Sequence, residues 1–227
     1  MGIAIGVALL FAAVAIHEIG HFLAARLAGV KVHAFYLGLP IGPHLTLHLG
    51  RYPLYVSFLL FGAAVDTGGT LYRFSLPKQA LISLSGPLAN LVSLLLVSVL
   101  SFGPQLGLQV SKIFLETAAI SFGAIASGVV PVEAVSGPVG IVSFANQIIA
   151  IDPVEGTLFI FFIISSSLTI FNLLPLPALD GGEVVMGLLV KAGLSPIKAE
   201  QISRASLRLL IVLLPLVIIK DILGLIR

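Results

Sequence analysis

The chain has no cysteine and no tryptophan, only two methionines, and charge on just 10% of its 227 residues. Without cysteine there is no disulfide, no thiolate ligand and no thiol nucleophile. Any metal chemistry therefore falls to histidine and carboxylates, and the redox compartment leaves no mark on the sequence. The scarcity of charge excludes an ordinary soluble domain, in which about a quarter of residues are charged. A formal net charge of +2 with no basic run gives no footprint for nucleic acid. What remains is apolar: 58% of residues are hydrophobic and the mean hydropathy is +1.16, the composition of an integral membrane protein.

One stretch of the first apolar segment breaks that pattern. Gly2 to Ile16 carry no charge, and then His17-Glu18-Ile19-Gly20-His21 place two imidazoles and a carboxylate within five residues. Residues four apart share one face of an α-helix, so His17 and His21 can direct ring nitrogens at a single ion. Glu18 then stands where a general base would act on a metal-activated water, as in the H-E-x-x-H pattern of zinc peptidases. The plain alternative is a surface helix that happens to carry two histidines and a glutamate. Its context argues otherwise, because each ionisable group at membrane depth costs about 2.5–3.5 kcal/mol on insertion scales and is retained for function.

Taken in order, residues 1–28 read as a first transmembrane helix. It lacks the basic leader and small-residue cleavage site of a signal peptide, and is expected to be retained. Residues 31–75 read as a membrane-associated β region. His44-Leu45-Thr46-Leu47-His48-Leu49 alternates with period two, Gly50-Arg51 is a turn, and Tyr52 to Phe61 is a return strand, giving a hairpin. His44 and His48 would lie about 13 Å apart along such a strand, too far for one ion. His33 reads as an interfacial residue and Asp66 as a turn former. Residues 81–102 form a second spanning helix containing Ser85-Gly86-Pro87-Leu88-Ala89-Asn90, where Asn90 either bonds across a helix contact or lines a cavity.

Residues 112–156 are expected to be an interfacial helix followed by loop. Residues 157–180 make a third span, unwound from about Leu174 by Pro175 and Pro177, so that Asp180 is presented on a non-helical turn. Residues 207–226 make a fourth. The fold class is thus an α-helical polytopic membrane protein, one embedded domain over 1–227, with about four transmembrane helices and a β-hairpin or sheet after the first.

A catalytic zinc keeps three protein ligands and an open position, so His17 and His21 need a third partner. Asp180 is the candidate, and Glu183 the competitor, better suited to the first turn of a helix. For Asp180 to meet the histidines, the third span must leave the membrane where the first does, and that parity excludes residues 112–130 from crossing. Arg26, Lys31, Arg51, Arg73, Lys78, Lys191, Lys198, Arg204 and Arg208 then share one side, with Glu116, Glu133, Asp152 and Glu155 opposite. By the positive-inside rule the active-site side is cytoplasmic and both termini are extracytoplasmic.

With these motifs in family order, the chain resembles the site-2 protease family of zinc intramembrane metalloproteases, in particular the bacterial branch that cleaves anti-sigma factors. The resemblance rests on His17-Glu18-x-x-His21, the Ser85 to Asn90 segment, Ser136-Gly137-Pro138-Val139-Gly140-Ile141, and Asn172-x-x-Pro175-x-Pro177-x-Leu179-Asp180-Gly181-Gly182. It implies zinc on His17, His21 and Asp180, Glu18 as catalytic base, and substrate held by strand addition to the β region, for which residues 52–61 are the expected partner. It also implies Asn90 and Asn172 near the substrate, although Asn172 could equally satisfy carbonyls freed at a broken helix end. Many relatives carry PDZ domains before the Ser-Gly-Pro segment. Only about thirty residues lie there in this chain.

The expected activity is endoproteolysis of single-span transmembrane proteins, anti-sigma-factor-like substrates or signal-peptide remnants, in a bacterial or archaeal cell membrane. The alternative is a non-proteolytic membrane protein that binds transmembrane segments or metal; an intact Glu18 counts against it. A prenyl-protein type of metalloprotease is disfavoured by the proline-rich Asp180 motif.

Overall fold

The computed structural model describes residues 1–38, 43–50, 52–57, 63–68, 71–131 and 136–226. The elements are α1 (Gly2–Leu27), β1 (Ala34–Leu37), β2 (His44–Leu49), β3 (Tyr52–Ser57), β4 (Ala63–Asp66), a single 3-10 turn, α2 (Leu76–Phe102), α3 (Pro104–Ala126), α4 (Pro138–Ile151), α5 (Pro153–Leu173), α6 (Asp180–Lys191) and α7 (Pro196–Ile226). Among the described residues four helices are long and apolar enough to cross a membrane: α1, α2, α3 and α5. The number agrees with the sequence expectation; α3 is a further candidate within residues expected to lie at the interface, and the residues expected to make the last span belong to the longer α7, which runs through Pro215.

The chain forms two compact units. One comprises Met1–Ala13, Asn90–Asn172 and Arg204–Arg227; the other comprises Val14–Ala89 and Leu173–Ser203. In the first, Ala13, Ala145, Ile149, Ile160 and Ile164 form a buried core. Small residues allow the helices to approach: a Cβ on Gly107 of α3 would lie 2.6 Å from the Ser98 backbone of α2, and one on Gly2 would lie 2.7 Å from Asn146. Phe114 packs on Phe159 and Phe162, and Phe122 on Phe171, at ring separations of 5.4–5.6 Å, so α3 and α5 run in the same direction.

Between them, α4 occupies a stretch that reads in sequence as loop. The structure thus has two helices, α3 and α4, where one interfacial helix and a loop were expected, and the glycines and proline of the 136–141 segment concealed the second.

Helix α4, at about 21 Å, is shorter than a hydrocarbon core of about 30 Å. Like any helix, it begins with N–H groups that have no partner within the helix. The partner for its first turn comes from α7. The buried Asp221 carboxylate accepts from Gly137 N at 3.1 Å and Gly140 N at 2.8 Å. A Cβ on Gly137 would overlap Val217 and lie 2.7 Å from Asp221 Oδ2, so the glycine is what permits the approach.

In the second unit a four-stranded sheet of order β2-β3-β1-β4 packs on the later half of α1. The expected hairpin is present, pairing His44 with Ser57 through Leu49 with Tyr52. Its return strand is described only to Ser57; residues 58–61, like Arg51 and Glu133, lie outside the described residues. Strand β3 is paired on both sides, antiparallel to β2 and parallel to β1. It therefore has no free edge to offer a further strand, which corrects the expectation for residues 52–57. The edges are β2 and β4. Alternation puts Phe35 and Tyr52 on the face that meets Phe22 of α1, with ring separations of 4.9 and 5.5 Å. His44 and Tyr36 lie on the opposite face, each against Tyr55 at 5.0 Å.

Candidate metal centre

The centre lies wholly in the second unit and is assembled by three helices. Helix α1 contributes His17, Glu18 and His21, all largely buried. Helix α6 contributes Asp180. This residue opens α6 with Leu179 as its N-cap, rather than standing on a non-helical turn as expected; only residues 174–179 are unwound. The glycines that follow account for the tight re-entry. A Cβ on Gly181 or Gly182 would overlap the carbonyls of Leu173 or Leu176, so only bare backbone can start a helix against the proline segment.

Helix α2 supplies no ligand but holds the other two in place. His21 Nδ1 donates to Ile82 O at 2.8 Å, and a Cβ on Gly20 would overlap Ser85 O, which brings α1 and α2 into direct backbone contact. One turn earlier, Gln79 Nε2 donates to Glu183 O at 2.6 Å and Ser83 Oγ donates to Glu183 Oε2 at 2.7 Å, fixing the first turn of α6. The Gln79 amide also fills the space left by the missing side chain of Gly187. Burial pushes the Glu183 carboxyl above the usual carboxylate range. Glu183 is thus engaged by α2, whereas Asp180 faces the two histidines.

His17 Nε2 and His21 Nε2 are 3.1 Å apart. Asp180 Oδ2 is 3.0 Å from the first and Asp180 Oδ1 3.4 Å from the second. All three ligating atoms lie within 4.8 Å of one another, and among the described residues this is the one such group of His, Asp and Glu. With Nδ1 of His21 donating to Ile82 O, the neutral ring has its lone pair on Nε2. That lone pair, the second imidazole and a carboxylate converge on one point, an arrangement that suits a cation.

The neighbouring backbone leaves room for one. A Cβ on Gly86 would overlap His21 Nε2 and lie 2.6 Å from His17 Nε2, so the glycine leaves open the space in front of the ring nitrogens. The nitrogen-and-oxygen donor set fits zinc, with Glu18 close enough to interact electrostatically with all three ligands.

Of the residues singled out from sequence, His17, Glu18, His21 and Asp180 come together. Asn90 and Asn172 belong to the first unit. Asn90 is fully buried, and Asn172 Nδ2 donates to Leu168 O, one turn back within α5, at 3.1 Å. Gln79, Ser83 and the steric role of Gly86 were not anticipated. The Ser85 to Asn90 segment suggested close packing, but nothing in it showed which neighbour Gly86 would face.

The helices and the site define a class: an integral membrane protein with a His-Glu-x-x-His motif whose histidines meet a distant aspartate in a group that could hold a metal. The chain belongs to peptidase family M50, whose sequence profile matches residues 5–216. A protein of Streptococcus pyogenes serotype M3 (strain SSI-1), named "Putative zinc metalloprotease", is 37% identical over 89 residues, 38% of this chain. A like-named protein of Streptococcus pneumoniae serotype 4 (strain ATCC BAA-334 / TIGR4) is 41% identical over 64 residues, 28% of this chain. The matched segments span only 21% and 15% of those relatives' lengths.

Proposed function

We propose that this chain is an intramembrane zinc endopeptidase acting on single-span transmembrane proteins, of the kind represented by anti-sigma factors or signal-peptide remnants. The observation that carries the reading is the convergence of His17, His21 and Asp180 beside a buried Glu18. Zinc, when bound there, supplies an acidified water, with a pKa lowered from about 15.7 to about 7, and polarises the scissile carbonyl. The protein groups do the rest. Glu18 takes a proton onto its carboxylate and returns it to the leaving amine nitrogen. The Ile82 carbonyl holds His21 in the tautomer and orientation that keep Nε2 on the centre. Gly86 keeps the approach to that point clear.

A helical substrate hides its carbonyls in internal hydrogen bonds and must be extended before attack. Strand β2 is the edge we assign to receive it, since among the described residues no strand pairs with its outer side and Leu45 and Leu47 are exposed. The basic ends of the helices support an orientation in a cell membrane with the centre towards the cytoplasm.

The test is cleavage of a panel of single-span reporters in reconstituted membranes by the natural chain and by Glu18→Gln. Cleavage by the natural chain alone supports the reading. Equal cleavage by both removes Glu18 from the mechanism. Capture of reporters by both without cleavage favours a binding protein.

A further inference from the structure

Just beyond the metal-binding turn, where α1 ends, the structure holds a second polar site. Helix α1 closes at Gly29, whose φ of 68° suits glycine, with Gly29 N bonded to Arg26 O and Val30 N to Ala25 O. This fixed turn brings Lys31 and His33 beside Arg26 around a cavity of about 290 Å³ that is completed by Val32 and Tyr52. Tyr52 is held by Phe22 and Phe35, and its hydroxyl accepts from Arg26 Nη1 at 2.6 Å, which fixes the direction of the guanidinium. No carboxylate lines the cavity, and among the described residues neither Arg26 nor Lys31 has an acidic partner.

We propose that this cavity binds the phosphate group of an anionic phospholipid. Two positive charges lining one cavity, one of them a guanidinium oriented by Tyr52, suit a phosphate diester, which arginine can engage through paired N–H donors. The absence of a carboxylate disfavours a zwitterionic headgroup, whose ammonium would find only like charge. Arg26 lies in the last turn of a spanning helix, the depth at which headgroup phosphates sit.

The consequence for the enzyme rests on the protease reading above; the lipid site does not. Arg26 follows His21 by five residues and His17 by nine on one unbroken helix. A phosphate held at Arg26 would therefore fix the metal centre about 7–14 Å along α1 from the headgroup plane. The site would act as a depth gauge, setting which bond of a spanning substrate reaches Glu18.

The test uses the full chain in nanodiscs of phosphatidylcholine with about 10% phosphatidylglycerol, followed by native mass spectrometry of retained lipid. The natural chain should keep one phosphatidylglycerol, and Arg26→Gln/Lys31→Gln should lose it at least about tenfold. Arg208→Gln, which removes a charge elsewhere, should change nothing. Tyr52→Phe, which frees the guanidinium without removing charge, should give intermediate retention. Zinc content and melting temperature show that each variant is folded. Equal retention by the natural chain and the double variant would overturn the site. Equal retention of phosphatidylcholine would overturn its charge selectivity. Displacement of the lipid by equimolar inorganic phosphate would overturn the lipid as its ligand.

Discussion

Asp180 and Asp221 are both buried or nearly buried carboxylates in largely apolar surroundings, both beside a helix start and both flanked by glycines, yet their chemistry is opposite. Asp221 is met by N–H donors from Gly137 and Gly140, one on each carboxylate oxygen, with the Lys220 ammonium 3.7 Å from Oδ1. Asp180 faces two imidazole nitrogens, and its neighbour His21 has already committed its Nδ1 proton to Ile82. A carboxylate surrounded by donors is a structural lock. One that converges with two imidazole nitrogens forms a group that can hold a cation. The partner set, rather than burial or residue type, separates a fold-holding aspartate from a metal-holding one.

The comparison can be broken most severely at the centre. Glu18→Gln should retain zinc and lose cleavage by about 10²–10⁴-fold, the range for removing a general base, read by metal analysis and reporter cleavage on the same preparation. Asp180→Ala should lose stoichiometric zinc, whereas Asp221→Ala should keep it. If both lost metal alike, the distinction between lock and ligand would fall.

Gly86→Ala tests the space rather than the ligands. A methyl there overlaps the His21 ring, so zinc affinity should fall about 10–100-fold, the size of effect seen when the groups supporting a ligand are disturbed. An unchanged affinity would mean that the helices can separate at no cost.

At Asp221 the expected effect is on stability. Asp221→Ala leaves two N–H groups of α4 unpaired, at about 1–3 kcal/mol for each group, and should lower the unfolding midpoint in detergent; Asp221→Asn, which can still accept, should recover part of the loss. The smallest effect is expected from Ser83→Ala, about 1 kcal/mol, with a modest rise in zinc dissociation because Glu183 keeps its second tie to Gln79. A loss as large as that of Asp180→Ala would make Ser83 part of the centre rather than a support for it.

The local parts of this molecule were legible from the chain because short-range chemistry dictates them. His17, Glu18 and His21 sit within five residues, so helical periodicity alone aligns them, and period-two alternation gave the β2 and β3 hairpin. Asp180 could be named because two prolines must unwind the backbone before it. The exact start of α6 was missed, since Gly181 and Gly182 enable a helix turn against the unwound segment that glycine by itself would not suggest.

What the sequence determined is the apolar character of the chain, the kinds of residue available to hold a metal and the clustering of His17, Glu18 and His21, because these follow from composition and spacing. Only the tertiary structure decided the rest. It showed α3 and α4 as two helices, β3 as an interior strand, Glu183 as a tie to α2 and Asp221 as the partner of α4. Each of these depends on which backbone groups lie next to one another when distant segments pack. That is set by contacts between residues up to about a hundred positions apart, which no local pattern records.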